Sequence, residues 1–244
     1  DNKDKIVVVI DPGHGGIDPG CIKNSIREKD VVLKVAKELK RIIDEQENMV
    51  AVLTRDRDYF LSLSKRVEKA ESVGGDLFVS IHANSHKSRS LKGTEVFFLS
   101  LEKATDEEAK KLAHIENATD TVGLPPGDKS DDDVVSILMD MRKTQVLNSS
   151  KKLADEVMGA IRRSNVLSVR KVKQAGFMVL HSLEMPSILV ETGFLSNSGD
   201  RAVLSSSSGQ QQMAQAINHG IRNYLCLPSI IPTERAWSVS YRIV

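Results

Sequence analysis

Short apolar runs alternate with amphipathic stretches along most of this chain. Its first part contains runs with the length and β-branched content of buried strands, at Lys5–Ile10, Val50–Thr54, Asp76–Ile81 and Gly93–Leu99. Apolar residues with helical spacing predict helices over Asp30–Glu47 and Leu63–Val73. Because strands alternate with helices at this spacing, we expect an α/β fold with a twisted, mostly parallel sheet flanked by helices.

The pattern changes after the Gly93–Leu99 run. Residues 101–145 are charged and helical in pattern, with a break rich in Gly, Pro and Asp at Leu124–Asp133. The earlier pattern then resumes, with a helix at Ser149–Ser164, strands at Phe177–His181 and Ser187–Glu191, and a helix at Gly209–Leu225. We therefore expect a single domain over residues 1–227 with a helical insertion at about 101–145, followed by a C-terminal extension over 228–244. A connection this long inside a domain is more often functional than idle.

Composition and charge exclude several classes of function. The formal net charge of the 244 residues is +1 and no basic stripe is present, which argues against a nucleic-acid partner. No apolar run approaches the length of a membrane span. The two cysteines, Cys21 and Cys226, lack the number for a disulfide framework and the paired spacing of a structural zinc site. We expect two unpaired thiols, which do not indicate whether the protein functions in an oxidising or a reducing compartment.

Two histidines follow buried strands at equivalent positions. His14 lies in the glycine-rich loop Asp11–Gly16, and His82 ends the Asp76–Ile81 run. Each histidine alone is compatible with a hydrogen-bonded structural role, and a glycine-rich turn also suits phosphate. However, no G-x-G-x-x-G or G-K-[ST] pattern follows the loop. Because the carboxyl ends of strands in open α/β sheets bind ligands, two imidazoles there suggest one shared metal ion.

Two carboxylates complete the candidate site. Glu28 lies at the start of the first long helix, where the helix dipole alone accounts for an acidic residue. With the two imidazoles, it would give zinc three ligands and leave a fourth position for water, and Asp30 competes for that role on spacing. Glu191 ends an apolar strand, where a carboxylate is costly unless it is paired or functional. Glu191 can therefore be either a partner in an ion pair or a general base.

Five ordered motifs carry a family resemblance. They are IVVVIDPGHGG, REKDVVL, VSIHAN, GTEVFFLS and PSILVETGFLSN, within Lys5–Leu225. Together they resemble the zinc-dependent N-acetylmuramoyl-L-alanine amidases of bacterial cell walls. The resemblance implies an α/β fold with one catalytic zinc ion. It also implies hydrolysis of the peptidoglycan amide bond between the lactyl group of N-acetylmuramic acid and the L-alanine of the stem peptide.

The resemblance assigns roles to individual residues. It implies that His14, Glu28 and His82 are the zinc ligands, and the match at REKD selects Glu28 over Asp30. Glu191 matches the catalytic glutamate, so the implied mechanism is metal-assisted hydrolysis with Glu191 as general base and then acid. Asn84 is our candidate for a hydrogen-bond donor to the amide oxygen. We expect a monomer that is exported to the periplasm, with its signal peptide outside this chain.

The insertion carries a narrower resemblance. AHIENATD, followed by VVSILMDMRKTQVLNSSKKLA, resembles the insertion of amidases that separate daughter cells in Gram-negative division. In that subgroup an insertion helix covers the active site, and a partner protein at the division site relieves the block. We therefore predict an autoinhibited enzyme with an activator protein, and Glu116 as the carboxylate that takes the open zinc position. Glu107 and Glu108 are alternatives, and a solvated charged helix without this role is the simpler interpretation.

Two other functions stay open at this level. One is a zinc carboxypeptidase or other peptidase with the same ligands, which a basic pocket for a substrate carboxylate would support. The other is a catalytically silent wall-binding module that has kept the fold. The latter requires a damaged site, whereas all four candidate residues are present.

Overall fold

A computed structural model describes residues 5–118, 136–182 and 184–227, with backbone only for residues 136–142. The break predicted at Leu124–Asp133 and the extension predicted at 228–244 lie outside the described residues. None of the described helices has an apolar stretch long enough to cross a lipid bilayer.

A six-stranded sheet organises the molecule. Its strands are β1 (Ile6–Pro12), β4 (Met49–Leu53), β5 (Leu77–Asn84), β6 (Thr94–Leu99), β7 (Val169–Ala175) and β8 (Ser187–Phe194). The order across the sheet is β4-β1-β5-β8-β6-β7, and every neighbouring pair is parallel except β6 with β8. The predicted mostly parallel α/β sheet is therefore confirmed. Two short strands, β2 (Ile22–Lys23) and β3 (Ile26–Arg27), form a separate hairpin.

Helices cover both faces of the sheet. They are α1 (Glu28–Asp44), α2 (Leu63–Ser72), α3 (Glu107–Asn117), α4 (Ser136–Ser164), α5 (Ser198–Ser205) and α6 (Ser207–Tyr224). Side chains alternate between faces along a strand, so Val79 and Ile81 of β5 join the core under α1, α4 and α6, whereas Phe78 joins a second core under α2 and α3. His82 points to the α2/α3 face by the same alternation, and the candidate site lies there.

Some predicted elements differ from the structure. The run Phe177–His181 is not a strand, because Met178–Leu180 forms a 3₁₀ turn and His181 is exposed. The strand at this edge is β7, which the pattern did not predict because charged residues alternate with its apolar ones. Helix α4 is continuous, so the predicted helix Ser149–Ser164 is only its C-terminal part. Helix α5 and the β2–β3 hairpin were also not predicted.

Candidate metal centre

The loop after β1 presents His14 in an uncommon backbone conformation. His14 has a positive φ of 59°, which a non-glycine residue adopts rarely. Its Nδ1 donates a hydrogen bond to Asp18 Oδ2 at 2.7 Å, and this bond leaves the lone pair of the neutral ring on Nε2. Gly13 permits the approach of the second histidine, because a Cβ there would lie 2.4 Å from the His82 ring. The loop therefore fixes both the orientation and the tautomer of His14.

Glu28 links the first helix to β5. Glu28 is the first residue of α1. Its Oε1 accepts a hydrogen bond from the backbone N–H of Ala83 at 2.9 Å, and its Oε2 accepts one from the backbone N–H of Cys21 at 3.0 Å. Gly20 makes room for this carboxylate, since a Cβ there would lie 2.7 Å from Glu28 Oε2. Glu28 is thus held beside His82 through the residue that follows the histidine.

Three buried side chains converge on one point. Glu28 Oε1 lies 2.9 Å from His14 Nε2 and 3.3 Å from His82 Nδ1. The two imidazoles meet edge to face, with ring centroids 4.9 Å apart. One potential ligand atom from each of the three side chains falls within 4.8 Å of the others, a spacing that suits a single metal ion. The sequence prediction named these three residues as ligands, and the structure brings them together.

The donor set fits a divalent cation. His14 Nε2 and His82 Nδ1 are buried and have no hydrogen-bond partner of acceptable geometry among the described residues. Such atoms are costly in a protein interior unless a bound group satisfies them. Two imidazole nitrogens and a carboxylate are typical zinc ligands and leave zinc a fourth position.

The electrostatics of the cluster also favour a positive charge at this point. Burial lowers the pKa of His14, but the carboxylates of Glu28, Asp18 and Glu116 outweigh burial and raise this pKa well above its ordinary value. Burial likewise opposes the charge of His82, but Glu116 and Glu28 raise its pKa to about 10. The two imidazoles in turn hold the pKa of Glu28 well below its ordinary range despite burial.

Glu191 faces the cluster from the neighbouring strand. It pairs in register with His82 across β5 and β8, is 1% exposed, and belongs to a second close group with His82 and Glu116. Its Oε2 has no hydrogen-bond partner among the described residues. Burial raises the pKa of Glu191 well above its ordinary value, and the charge of Glu28 adds to this effect while His82 opposes it. A carboxylate with a raised pKa is suited to accept and return protons.

Helix α3 covers the centre with a third carboxylate. Glu116 Oε2 lies 3.2 Å from His82 Nδ1 and 3.5 Å from His14 Nε2. The space that remains there measures about 10 Å³, close to the least that one water needs. The other two acids of this helix lie elsewhere: Glu107 is exposed, and Glu108 lies 3.8 Å from the Arg170 guanidinium. Of the three candidates, only Glu116 reaches the cluster.

Asn117 holds the same end of α3 against the sheet. Its Nδ2 donates a hydrogen bond to the carbonyl of Gly176 at 2.7 Å, and its Oδ1 accepts one from the N–H of Met178 at 2.9 Å. An amide that satisfies both backbone groups fixes the register of the helix over the centre. No sequence pattern indicates this role, although Asn117 is the neighbour of Glu116 in the motif AHIENATD.

Two buried arginines support the loop that carries His14. Arg66 donates hydrogen bonds to Asp11 Oδ1, to the carbonyl of Pro12 and to the carbonyl of His14, each at 2.8 Å. Arg55 donates to the carbonyls of Pro12, Gly13 and Lys29, at 2.9, 2.7 and 3.0 Å. Burial lowers the pKa of Arg55 to about 10, and the charge of Arg66 adds to this effect. The guanidinium groups satisfy carbonyls that the irregular loop would otherwise leave unpaired.

The remaining sequence candidates lie outside the cluster. Asp30 forms an ion pair with Arg27 at 2.6 Å on the surface. Asn84 is half-buried at the end of β5, and its Oδ1 accepts a hydrogen bond from Ser85. Cys21 and Cys226 are unpaired.

Comparison with known proteins identifies the family of this chain. Residues 8–223 match the family model described as N-acetylmuramoyl-L-alanine amidase. The chain is 42% identical over 221 residues to the N-acetylmuramoyl-L-alanine amidase AmiC of Escherichia coli O6:H1, covering 90% of this chain and 52% of AmiC. It is 38% identical over 221 residues to AmiA of Escherichia coli K12, covering 90% of this chain and 76% of AmiA.

A solved structure gives the same result for the fold. The N-acetylmuramoyl-L-alanine amidase AmiC2 of Nostoc punctiforme superposes with a TM-score of 0.68 at 34% identity, and covers 91% of this chain and 97% of that one. The chain spans only about half the length of the AmiC relatives. Because the family model covers nearly all of the described sheet and helices, the chain belongs to the N-acetylmuramoyl-L-alanine amidase family.

Proposed function

We propose that this chain is the catalytic domain of a zinc-dependent N-acetylmuramoyl-L-alanine amidase that acts on peptidoglycan. The observation that carries the proposal is the buried cluster of His14, Glu28 and His82 with Glu191 beside it, in a chain of this family. Residues 1–227 form this domain in the proposal, and residues 228–244 are a C-terminal extension.

His14, Glu28 and His82 hold the zinc ion in this proposal. Two imidazole nitrogens, which have no hydrogen-bond partner in the described part of the chain, supply two ligands, and the carboxylate that they share supplies the third. When bound, zinc supplies Lewis acidity at the scissile amide. Asp18 holds the His14 ring, as a carboxylate behind a ligating histidine commonly does.

Glu191 carries the proton in the proposed reaction. It accepts a proton from the water that attacks the amide carbon, and it then returns this proton to the L-alanine nitrogen as the C–N bond breaks. Its burial supports the second step, because a carboxyl with a raised pKa gives up its proton less readily to bulk water and keeps it for the leaving amine. Asn84 supplies a hydrogen bond to the substrate from Nδ2, since its Oδ1 is engaged by Ser85.

The insertion at about 101–145 is autoinhibitory in this proposal. The position of Glu116 beside both histidines supports this role, because a carboxylate there excludes water and the substrate carbonyl from the same space. Release requires that α3 leave the sheet, which we assign to an activator protein from the division site. The relatives AmiC and AmiA support a periplasmic location, and we expect a monomer.

Product analysis tests the proposed activity against the alternatives. Zinc content and peptidoglycan release are measured for the full chain and for a variant that lacks residues 101–145. We expect one zinc per chain, low release by the full chain, and higher release by the deletion variant, with free L-alanine amino termini in the products. Release of free amino acids would instead establish a peptidase. Zinc binding without release in either protein would favour a silent wall-binding module.

A further inference from the structure

A basic cavity is formed by segments that adjoin residues of the metal centre, and it has no role in the proposed reaction. It measures about 330 Å³, and its cationic lining consists of Lys23, Lys87, Arg89 and Arg201, with His86 beside them. None of its lining residues in the described part of the chain is acidic. We call this cavity the basic pocket.

The charges of the basic pocket have no counter-charge among the residues that the structure describes. Among the described residues, no carboxylate forms an ion pair with Lys23, Lys87, Arg89 or Arg201. Some other cations of the described chain are paired, as Lys29 is with Asp58. A concave surface lined by one sign of charge focuses the field and attracts ions of the opposite sign. The basic pocket is therefore suited to an anion.

Three segments form the pocket, and each of them adjoins a residue of the metal centre. Asn24 comes four residues before Glu28, His86 comes four residues after His82, and Ser196 comes five residues after Glu191. Because a chain spans at most about 3.6 Å per residue, the walls begin within roughly 18 Å of the centre. An extended peptide of a few residues covers this distance.

Hydrogen bonds between the segments hold the pocket in shape. Ser196 Oγ accepts from the N–H of His86 at 3.0 Å, and Asn197 donates to the carbonyl of Arg89 at 2.8 Å. Arg201 donates to the carbonyl of Leu195 at 2.7 Å, which fixes its guanidinium at the wall. The backbone of a pocket fixed in this way loses little conformational freedom when a ligand binds.

We propose that the basic pocket binds a free carboxylate of the stem peptide while the amide bond of the substrate lies at the metal centre. This inference rests on the proposed function and deepens it, because it names the part of the substrate that is recognised. Stem peptides carry free carboxylates on residues beyond L-alanine, and guanidinium groups pair with carboxylates through two parallel hydrogen bonds. The pocket shares no lining residue with the space over the metal centre. A carboxypeptidase binds the carboxylate of the residue that directly follows the scissile bond. Here the bound carboxylate belongs to a residue further along the peptide.

Binding of two matched peptides tests the pocket independently of catalysis. The zinc-loaded full chain is titrated with a stem tripeptide that begins with L-alanine and carries free carboxylates, and with the same tripeptide whose carboxylates are amidated. The double variant K87Q/R89Q removes two pocket charges, and neither side chain makes a hydrogen bond or ion pair within the described structure. The variant K34Q/K37Q removes two exposed charges on α1 and is the control.

We expect the acidic peptide to bind at least about tenfold more weakly to K87Q/R89Q than to the wild type or K34Q/K37Q. The amidated peptide is expected to bind all three proteins equally weakly. Equal affinity of the wild type for both peptides would overturn the proposal, as would unchanged binding by K87Q/R89Q. Loss of binding to anionic phospholipid vesicles in K87Q/R89Q without loss of peptide binding would assign the pocket to a lipid surface instead. If the pocket binds the acidic peptide but the chain hydrolyses no muropeptide, the proposed amidase function is wrong, whereas the proposed carboxylate site is supported.

Discussion

The carboxylate of Glu116 reaches from α3 into the metal centre, where its Oε2 lies 3.2 Å from Nδ1 of His82. The same oxygen lies 3.5 Å from His14 Nε2, so one side chain faces both imidazoles of the cluster. Glu116 and Asn117 of α3 line the small space over the centre, together with residues of other segments such as Phe60 and Phe177. In the proposed autoinhibition, the position of this helix determines whether substrate reaches Glu191.

Removal of the Glu116 carboxylate is expected to raise basal activity. The Glu116 carboxylate forms a close ion pair with the two imidazoles, and close charge pairs between docked surfaces contribute about 1.5 kcal/mol or more. Its loss from the closed state corresponds to a roughly ten- to hundredfold higher rate of peptidoglycan release for Glu116→Ala. Release of dye-labelled peptidoglycan measures this rate, and Glu107→Ala on the same helix is the control because Glu107 is exposed. Equal rates for Glu116→Ala and the wild type would exclude Glu116 as the blocking group.

Loss of the Asn117 side chain tests whether the docking of α3 matters apart from its carboxylate. Asn117→Ala removes the two hydrogen bonds to Gly176 and Met178 but leaves Glu116 in place. Each bond contributes about 1 kcal/mol, so we expect basal release to rise by roughly fivefold or more. Asn148→Ala, at an exposed position, is the control. An unchanged rate for Asn117→Ala would mean that these bonds do not hold the helix closed.

The sequence pattern predicted the sheet well because most strands are buried on both faces. Such strands, β5 and β8 for example, are mostly apolar, and the polar residues His82 and Glu191 follow the apolar part of each strand. The edge strand β7 was missed for the opposite reason. It alternates charged with apolar residues, and its buried Lys173 is stabilised by ion pairs to Glu95 and Asp106 that no local pattern indicates.

The residues of the candidate site were predictable only where a functional side chain lies near the end of a strand or helix. Glu28 stands at such an end and His14 and His82 lie within two residues of one, so their residue types were informative. The supporting arginines were not predicted, because Arg66 contacts a loop that lies more than fifty positions away in the sequence. The contact of Glu116 followed from the family resemblance, since the helical pattern alone equally suits a solvated surface helix.

Replacement of Glu191 by glutamine separates catalysis from metal binding. The amide keeps the size of the side chain but cannot accept the proton, so we expect peptidoglycan release to fall by about 10²- to 10⁴-fold. Zinc content should stay at one ion per chain, because Glu191 is not among the three converging ligands. Elemental analysis and release assays on the same preparation measure both quantities, with the surface variant Glu45→Gln as control. Wild-type activity of Glu191→Gln would contradict its role as general base.

Removal of either imidazole is expected to abolish stable metal binding. His14→Ala and His82→Ala each leave two of three protein ligands, and zinc is held in proteins by three or four. After dialysis against buffer without zinc, we expect less than about a tenth of an ion per chain in either variant. His219→Ala is the control, because His219 is an exposed residue of α6. A full complement of zinc in His14→Ala or His82→Ala would remove that residue from the ligand set.

The buried ion pair of Asp11 and Arg66 predicts a pH-dependent contribution to stability. Burial raises the pKa of Asp11, but the charge of Arg66 and hydrogen bonds from Thr54, Arg66 and Ser80 outweigh it and lower this pKa below its ordinary value of 3.8. Because the folded state binds the proton less tightly than the unfolded state, the pair contributes its full stability above about pH 4. This contribution is lost as the pH falls from there through the folded pKa.

Substitution of the carboxylate tests this dependence. Asp11→Asn leaves the buried guanidinium of Arg66 without its charge partner, and breaking such a pair costs about 3–5 kcal/mol. Urea unfolding in the presence of a chelator measures the free energy of unfolding without a metal contribution. We expect Asp11→Asn to be less stable than the wild type by this amount at pH 7, and we expect the difference in the free energy of unfolding to narrow below pH 4. The control variant Asp155→Asn, which changes a surface residue, should be as stable as the wild type. A difference that stays constant down to pH 2 would show that the ionised carboxylate of Asp11 is not the source of the stability.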